Sequence, residues 1–243
     1  MSTQQQQTFE EPLWTPENAV PEIVRQRIEL IRNSAFIEKL NSSSTPSTKG
    51  ISNLLIFLHI LQQLKKTRRT GWLNFDVEDP ESIADHMYRM GIISMLSNNK
   101  DLDTGRCVCI ALVHDMAESL VGDITPKDPV PKEEKHRREL AAMEYLTKGL
   151  IEPFNPSAAQ EILDLWNEYE NVASPEARFV KDVDKFELLV QTLEFEQQHE
   201  GKKDLAQFLD TRQQIKTPEV SEWADTLLGV REDYWVKVKK DLS

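Results

Sequence analysis

Four ionisable residues stand where a hydrophobic core is expected. His86 sits among Ile83, Met87 and Met90, which form one face of its helix. His114 follows Ile110 in a column flanked by Cys107 and Ala111, and Asp115 comes next, turned about 100° around the axis. Asp184 lies in the column Val180, Asp184, Leu188, beside Val183. A buried acid is costly unless it is paired or bound to metal. Two carboxylates and two imidazoles from three helices would neutralise one divalent cation. A mixed nitrogen and oxygen set suits Mn, Fe, Co, Ni or Zn, with open positions for water or phosphate oxygen. Taken singly, each has a plainer explanation, since a lone His on an apolar face is more often a satisfied core residue. A His-Asp pair is also a simple hydrogen-bonded couple. Glu118, one turn beyond His114, shifts the balance, because core packing does not call for an acid there.

The elements that must position these residues are helical. Helix formers are common, glycine numbers only 8, and no strand pattern exceeds a few residues. Residues 1 to about 20 are polar, Gln-rich and expected to be disordered. A weakly amphipathic helix is predicted over 22–40, with Ile23, Ile28, Ile31 and Phe36 on its apolar side. Asn41 to Gly50 reads as a Ser/Thr-rich linker after which the core should begin. Helical periodicity then predicts Ser52–Lys66, a helix capped by Asp79-Pro80 and running to Ser97, and Thr104–Glu118. Further helices are predicted over Lys132–Leu150, Ser157–Tyr169, Pro175–Gln198 and Pro218–Lys239. The expected organisation is an N-terminal extension over 1–50, a helical domain carrying the four ionisable residues over 51–215 and a C-terminal helix over 216–243.

Composition narrows the partners. The chain has 243 residues and a formal net charge of −12, which repels a nucleic-acid backbone but admits a small phosphorylated substrate to a local pocket. Cys107 and Cys109, two residues apart, suit neither a disulfide nor a shared metal, and fit a reducing compartment. The longest apolar run, Leu54 to Leu61, is too short to span a bilayer, and the N-terminus lacks the features of a secretory signal. A cytoplasmic protein with access to the nucleus is expected.

The pattern resembles the HD-domain superfamily, whose ligand order is His, His-Asp, Asp. Glu81-Ser-Ile-Ala-Asp-His86, His114-Asp-Met-Ala-Glu-Ser-Leu-Val-Gly-Asp123 and Phe179-Val-Lys-Asp-Val-Asp184-Lys resemble its 5′-deoxynucleotidase branch, including the HD domain-containing protein 2 family. The likeness covers roughly Ile51 to Gln198. It implies an all-α HD-domain bundle with a metal site between helices, a divalent ion (Co, Mn, Mg, Fe, Ni or Zn), and a homodimer. It also implies hydrolysis of deoxyribonucleoside 5′-monophosphates to deoxyribonucleoside and phosphate. The family ligands carry over to His86, His114, Asp115 and Asp184, with Asp182 a competitor for the last position. Outer acids match Glu118 and Asp123. The Arg and Trp that bracket the nucleotide in bacterial relatives are matched less closely by Arg69, with Arg68 as a substitute, and Trp72, because Gly71 precedes the Trp. Trp72 as a loop-anchoring core aromatic is an equal reading.

The resulting expectation gives Glu118 the attacking water and Asp123 the leaving 5′-oxygen, with the two acids free to share that work. Arg69 would hold phosphate oxygens, and Glu168 would face the substrate. Lys132, Lys135 and His136 read mainly as a solvated helix face. The alternatives are another HD phosphohydrolase acting on a dNTP, cyclic nucleotide or alarmone, an HD-fold diiron oxygenase, and a non-catalytic nucleotide-sensing scaffold.

Overall fold

A computed structural model describes residues 13–43, 45 and 48–241, and the described residues form an all-α bundle with no strand. One isolated bridge joins Arg68 to Ser82. The centre of the bundle is α6 (Ile83–Met95) packed along α7 (Thr104–Val113), with α11 (Pro175–Gln198) crossing both. Around it stand α1 (Pro16–Ala19), α2 (Glu22–Arg32), α3 (Ala35–Ser42), α4 (Ile51–Leu61), α9 (Lys132–Glu144), α10 (Pro156–Asn171) and α12 (Pro218–Asp241). Two single-turn helices, α5 (Thr70–Leu73) and α8 (Glu118–Val121), sit in the connections nearest the predicted site.

Local chemistry explains where the central helices begin. Ser82 accepts a hydrogen bond from the Asp85 amide while the Asp85 carboxylate accepts one from the Ser82 amide, a reciprocal box that satisfies two orphan donors. This corrects the predicted start at Asp79-Pro80. Asp79 instead has a left-handed backbone (φ 44°) and pairs with Arg68 at 2.5 Å. Ser174 caps α11 through the Ala177 amide, with Pro175 at the first helical position.

The predicted helix over Thr104–Glu118 also breaks. After Val113 the chain tightens, with Met116 N–H donating to Val113 and Glu118 N–H to Asp115. Bonds spaced three residues apart bring positions i and i+3 onto one side. Asp115 and Glu118 therefore share a face that a regular helix would give to His114 and Glu118.

The N-terminal region departs from expectation in three ways. Residues 1–12 lie outside the described part, but from Leu13 the chain is ordered, with Thr15 capping α1 and Val20 buried. The predicted 22–40 helix divides at Asn33-Ser34, where the Ser34 hydroxyl caps α3. Its buried column is Val24, Ile28 and Ile31, while Ile23 and Phe36 are exposed. That column joins the main core, so the core begins before residue 51.

Candidate metal centre and active site

His86 comes from the middle of α6 and is fully buried. Its Nδ1 donates to the buried Glu187 carboxylate at 2.6 Å. His114, at the end of α7, donates from Nδ1 to the Ala111 carbonyl at 2.9 Å. A carbonyl and an ionised carboxylate only accept, so both rings carry a proton on Nδ1 and turn Nε2 the other way, as the nitrogen left to bind a metal. Both Nε2 atoms are buried without a hydrogen-bond partner. The rings lie 5.6 Å apart between centroids.

Two carboxylates close on these nitrogens. Asp115 Oδ2 lies 3.2 Å from His114 Nε2, and Asp184 Oδ1 lies 3.2 Å from His86 Nε2, at ion-pair range without hydrogen-bond alignment. Donor atoms of His86, His114 and Asp115 all fall within 4.8 Å of one another. Tyr169 donates its hydroxyl to Asp184 Oδ2 at 3.0 Å and stacks obliquely on His114. Burial would push both aspartates up, but the imidazoles and the Arg69 guanidinium outweigh it and hold both well below the usual carboxylate range. Burial and Arg69 work against a charge on His86. Glu187 and Asp184 prevail, raising it to about 10. Such surroundings favour positive charge between the two rings. Two unpartnered imidazole nitrogens, which give up any proton when a metal binds, and two ionised carboxylates beside them fit a divalent cation.

His114, Asp115 and Asp184 open onto a polar cavity of about 370 Å³ lined also by Arg69, Glu118 and Asp123, with His86 buried behind Asp184. Glu118 is buried, its Oε2 has no partner, and burial together with Asp115 and Asp123 raises its carboxyl well above the ordinary value. Asp123 follows Gly122, whose left-handed φ of 78° turns the loop inward, and accepts the Thr70 amide at 2.6 Å. Arg69 reaches Asp115 at 3.3 Å, whereas Arg68 points outward to Asp79.

The remaining predicted residues divide. Asp182 caps the chain before α12 by accepting the Lys216 and Thr217 amides, so it faces away and Asp184 faces in. Trp72 is buried in an aromatic cluster with Phe195 and Phe208, donates Nε1 to Glu81 at 3.2 Å, and walls a neighbouring cavity rather than this one. Glu168 is corrected. Its buried carboxylate is held by Arg106 and Ser174, away from the cavity, and its neighbours Tyr169 and Glu170 line the cavity instead. Lys132, Lys135 and His136 also line it. Lys135 is not merely solvated, since its amine donates to the Ile124 carbonyl at 3.0 Å and ties α9 to the Asp123 loop.

Sequence reasoning missed Glu187, Tyr169, Glu170 and Lys181. Glu187 had a signal, as another acid on the inward side of α11, three residues beyond Asp184. Lys181 did not, being one of several cations along that helix.

A helical bundle that gathers two unpartnered imidazole nitrogens and two carboxylates at the edge of one polar cavity has the architecture of a metal-dependent hydrolase. Residues 61–223 match the HD domain family, and the chain belongs to it. It is 53% identical over 186 residues to 5′-deoxynucleotidase YGK1 of Saccharomyces cerevisiae, covering 76% of this chain and 86% of that one. It is 51% identical over 195 residues to 5′-deoxynucleotidase hdd1 of Schizosaccharomyces pombe, covering 80% and 98%. A solved structure of HD domain-containing protein YGK1 aligns with a TM-score of 0.66 at 41% identity, covering 91% of this chain and 98% of that one.

Proposed function

We infer that this chain is a 5′-deoxynucleotidase, a phosphoric monoester hydrolase that converts deoxyribonucleoside 5′-monophosphates to deoxyribonucleoside and phosphate. The observation that carries the reading is the pair of buried, partnerless Nε2 atoms beside Asp115 and Asp184. It is supported by relatives named for this activity at 53% and 51% identity. His86, His114, Asp115 and Asp184 would hold the divalent ion, with Co, Mn, Mg, Fe, Ni and Zn as the ions to compare. Bound there, it supplies Lewis acidity toward a phosphoryl oxygen and makes water a better nucleophile near neutral pH.

The chain's own groups do the rest. Arg69 remains charged at any working pH and offers its guanidinium to the non-bridging oxygens while braced by Asp115. Glu118 takes the proton of the attacking water as the new P–O bond forms. Asp123 hands a proton to the 5′-oxygen as the P–O5′ bond breaks, and its carboxylate is kept on line by the Thr70 amide. Lys135 fixes the loop that carries Asp123.

The working unit is a homodimer. Tyr88, Ile92 and Met95 form an exposed apolar stripe along α6, with Leu112 exposed on the adjoining α7. Among the described residues no helix is long and apolar enough to cross a membrane. Two free thiols, one of them exposed, suit the cytoplasm or nucleus.

The test is phosphate release from dAMP, AMP, dATP and a cyclic dinucleotide, with each divalent ion in turn. The account expects release from dAMP first. No release from any monophosphate, with turnover of one of the others, would replace it.

A further inference from the structure

Tyr169 reaches the metal centre from the last turn of α10 and touches two of its proposed ligands. It is buried, and its hydroxyl donates to Asp184 Oδ2 at 3.0 Å. Its ring lies 4.8 Å from that of His114 between centroids. Lys181, three residues before Asp184 on α11, sets its ammonium 3.8 Å from the centre of the same ring. One side chain thus ties together the elements that carry His114 and Asp184.

Other contacts fix the end of α10. Glu168 is gripped by Arg106 from α7 and by Ser174 at the start of α11. Val172 then closes the helix in the left-handed region at φ 50°, a costly conformation for a β-branched residue. Its amide donates to the Tyr169 carbonyl at 3.2 Å, and the Ala173 amide donates to the Glu168 carbonyl at 3.0 Å. Held in this way, the Tyr169 hydroxyl has little freedom to follow a moving carboxylate.

The consequence falls on Asp184. Its Oδ1 faces His86 Nε2 at 3.2 Å, while Oδ2 is taken by the phenol. A phenol, with an ordinary pKa of about 10, is a neutral donor at working pH and competes with a metal for that oxygen. An unrestrained aspartate offers a metal one oxygen or both. We propose that Tyr169 is a positioning residue that confines Asp184 to one oxygen, Oδ1, and so keeps a coordination position of the ion open. This rests on the 5′-deoxynucleotidase reading and deepens it. An ion with about six positions, held once each by His86, His114, Asp115 and Asp184, keeps about two for the reaction. Phosphoryl transfer to water uses both, one for the phosphoryl oxygen and one for the nucleophile. Binding Asp184 through both oxygens removes one of them.

The test is Tyr169→Phe, which keeps the ring beside His114 and Lys181 and removes only the donor. Metal-stripped wild type and variant are loaded with Mn²⁺ below one equivalent, and water-proton relaxation is measured. Loss of one of two exchanging waters should lower the relaxation enhancement per bound ion by about twofold. Loss of an outer partner typically lowers metal affinity or activity by about 10- to 100-fold, and here the loss should fall on kcat for dAMP. Mn²⁺ affinity should stay within about threefold of wild type, because Asp184 remains a ligand. Unchanged relaxation per bound ion, or a tenfold loss of Mn²⁺ affinity on the scale of about 10- to 100-fold expected of a purely structural partner, would overturn the proposal. Both results are read on variant protein of wild-type circular dichroism. Absence of phosphate release by wild type that binds Mn²⁺ would instead overturn the activity, while relaxation still decides the role of Tyr169.

Discussion

Replacing Glu187 should loosen the metal centre without touching a ligand. Its carboxylate is fully buried, accepts the His86 Nδ1 proton at 2.6 Å, and accepts Arg89 Nε at 2.7 Å. Burial opposes its charge, but His86 and Arg89 hold it below the ordinary carboxylate range. It therefore fixes the proton on Nδ1, aims Nε2 at Asp184 and keeps that nitrogen basic. Loss of such a partner typically costs 10- to 100-fold in metal affinity, or about 1.4–2.7 kcal/mol. Glu187→Gln keeps an acceptor of the same shape and should fall near tenfold. Glu187→Ala should approach a hundredfold and also destabilise the fold. Breaking one side of a buried pair costs about 3–5 kcal/mol. The low end is expected here, because Arg89 retains Glu194 at 2.6 Å and Gln191 at 2.5 Å. The assay is titration of metal-stripped protein with Mn²⁺ against a competing chelator, with thermal unfolding alongside. Wild-type affinity in both variants would show that Glu187 does not orient His86.

Two further outcomes are expected. Glu118→Gln should retain metal affinity, because its carboxylate stands beside the proposed ligand set, while kcat falls about 10²- to 10⁴-fold, the value of a positioned proton acceptor. Comparable loss of metal and turnover, measured by metal content and phosphate release, would move Glu118 into the ligand set. The metal-stripped protein should lose stability from pH 6.5 to 9. His86, raised to about 10, contributes fully below its ordinary value of 6.5 and loses its contribution as pH climbs toward 10. Glu81, raised to about 7 chiefly by burial and by Glu187, loses its contribution between 4.5 and about 7. On the acid side Asp115, Asp184 and Glu187, all lowered, lose theirs as pH drops below about 4. A divalent ion should reverse the alkaline slope, since it needs unprotonated imidazole. A melting temperature that rises with pH in the stripped protein would contradict this assignment of charge.

The inward acids and imidazoles were legible because each interrupts an apolar column, a signal that survives without any three-dimensional knowledge. His86 and His114 are buried, and Asp184 is half-buried on the side of α11 that lines the cavity. The long helices α10, α11 and α12 were legible from period, with Pro156, Pro175 and Pro218 marking their starts. What escaped depended on competition between local signals. Asp79-Pro80 and Ser82-x-x-Asp85 both resemble helix starts, and the reciprocal box prevailed. The tightened turn after Val113 carries no Gly or Pro to announce it, so the face shared by Asp115 and Glu118 could not be read from a regular helical wheel. Glu168 fell one residue from the pocket because Asn167-Glu-Tyr-Glu170 offers three polar groups within one turn. Only the partner Arg106, on another helix, decides which of them turns away from the cavity.

The most direct test of the metal centre is anomalous diffraction at the absorption edge of manganese, from crystals of the protein loaded with that ion. The account predicts one strong peak within bonding distance of Nε2 of His86 and His114 and of carboxylate oxygens of Asp115 and Asp184. A peak held by other residues, with either Nε2 turned away from it, would contradict the account.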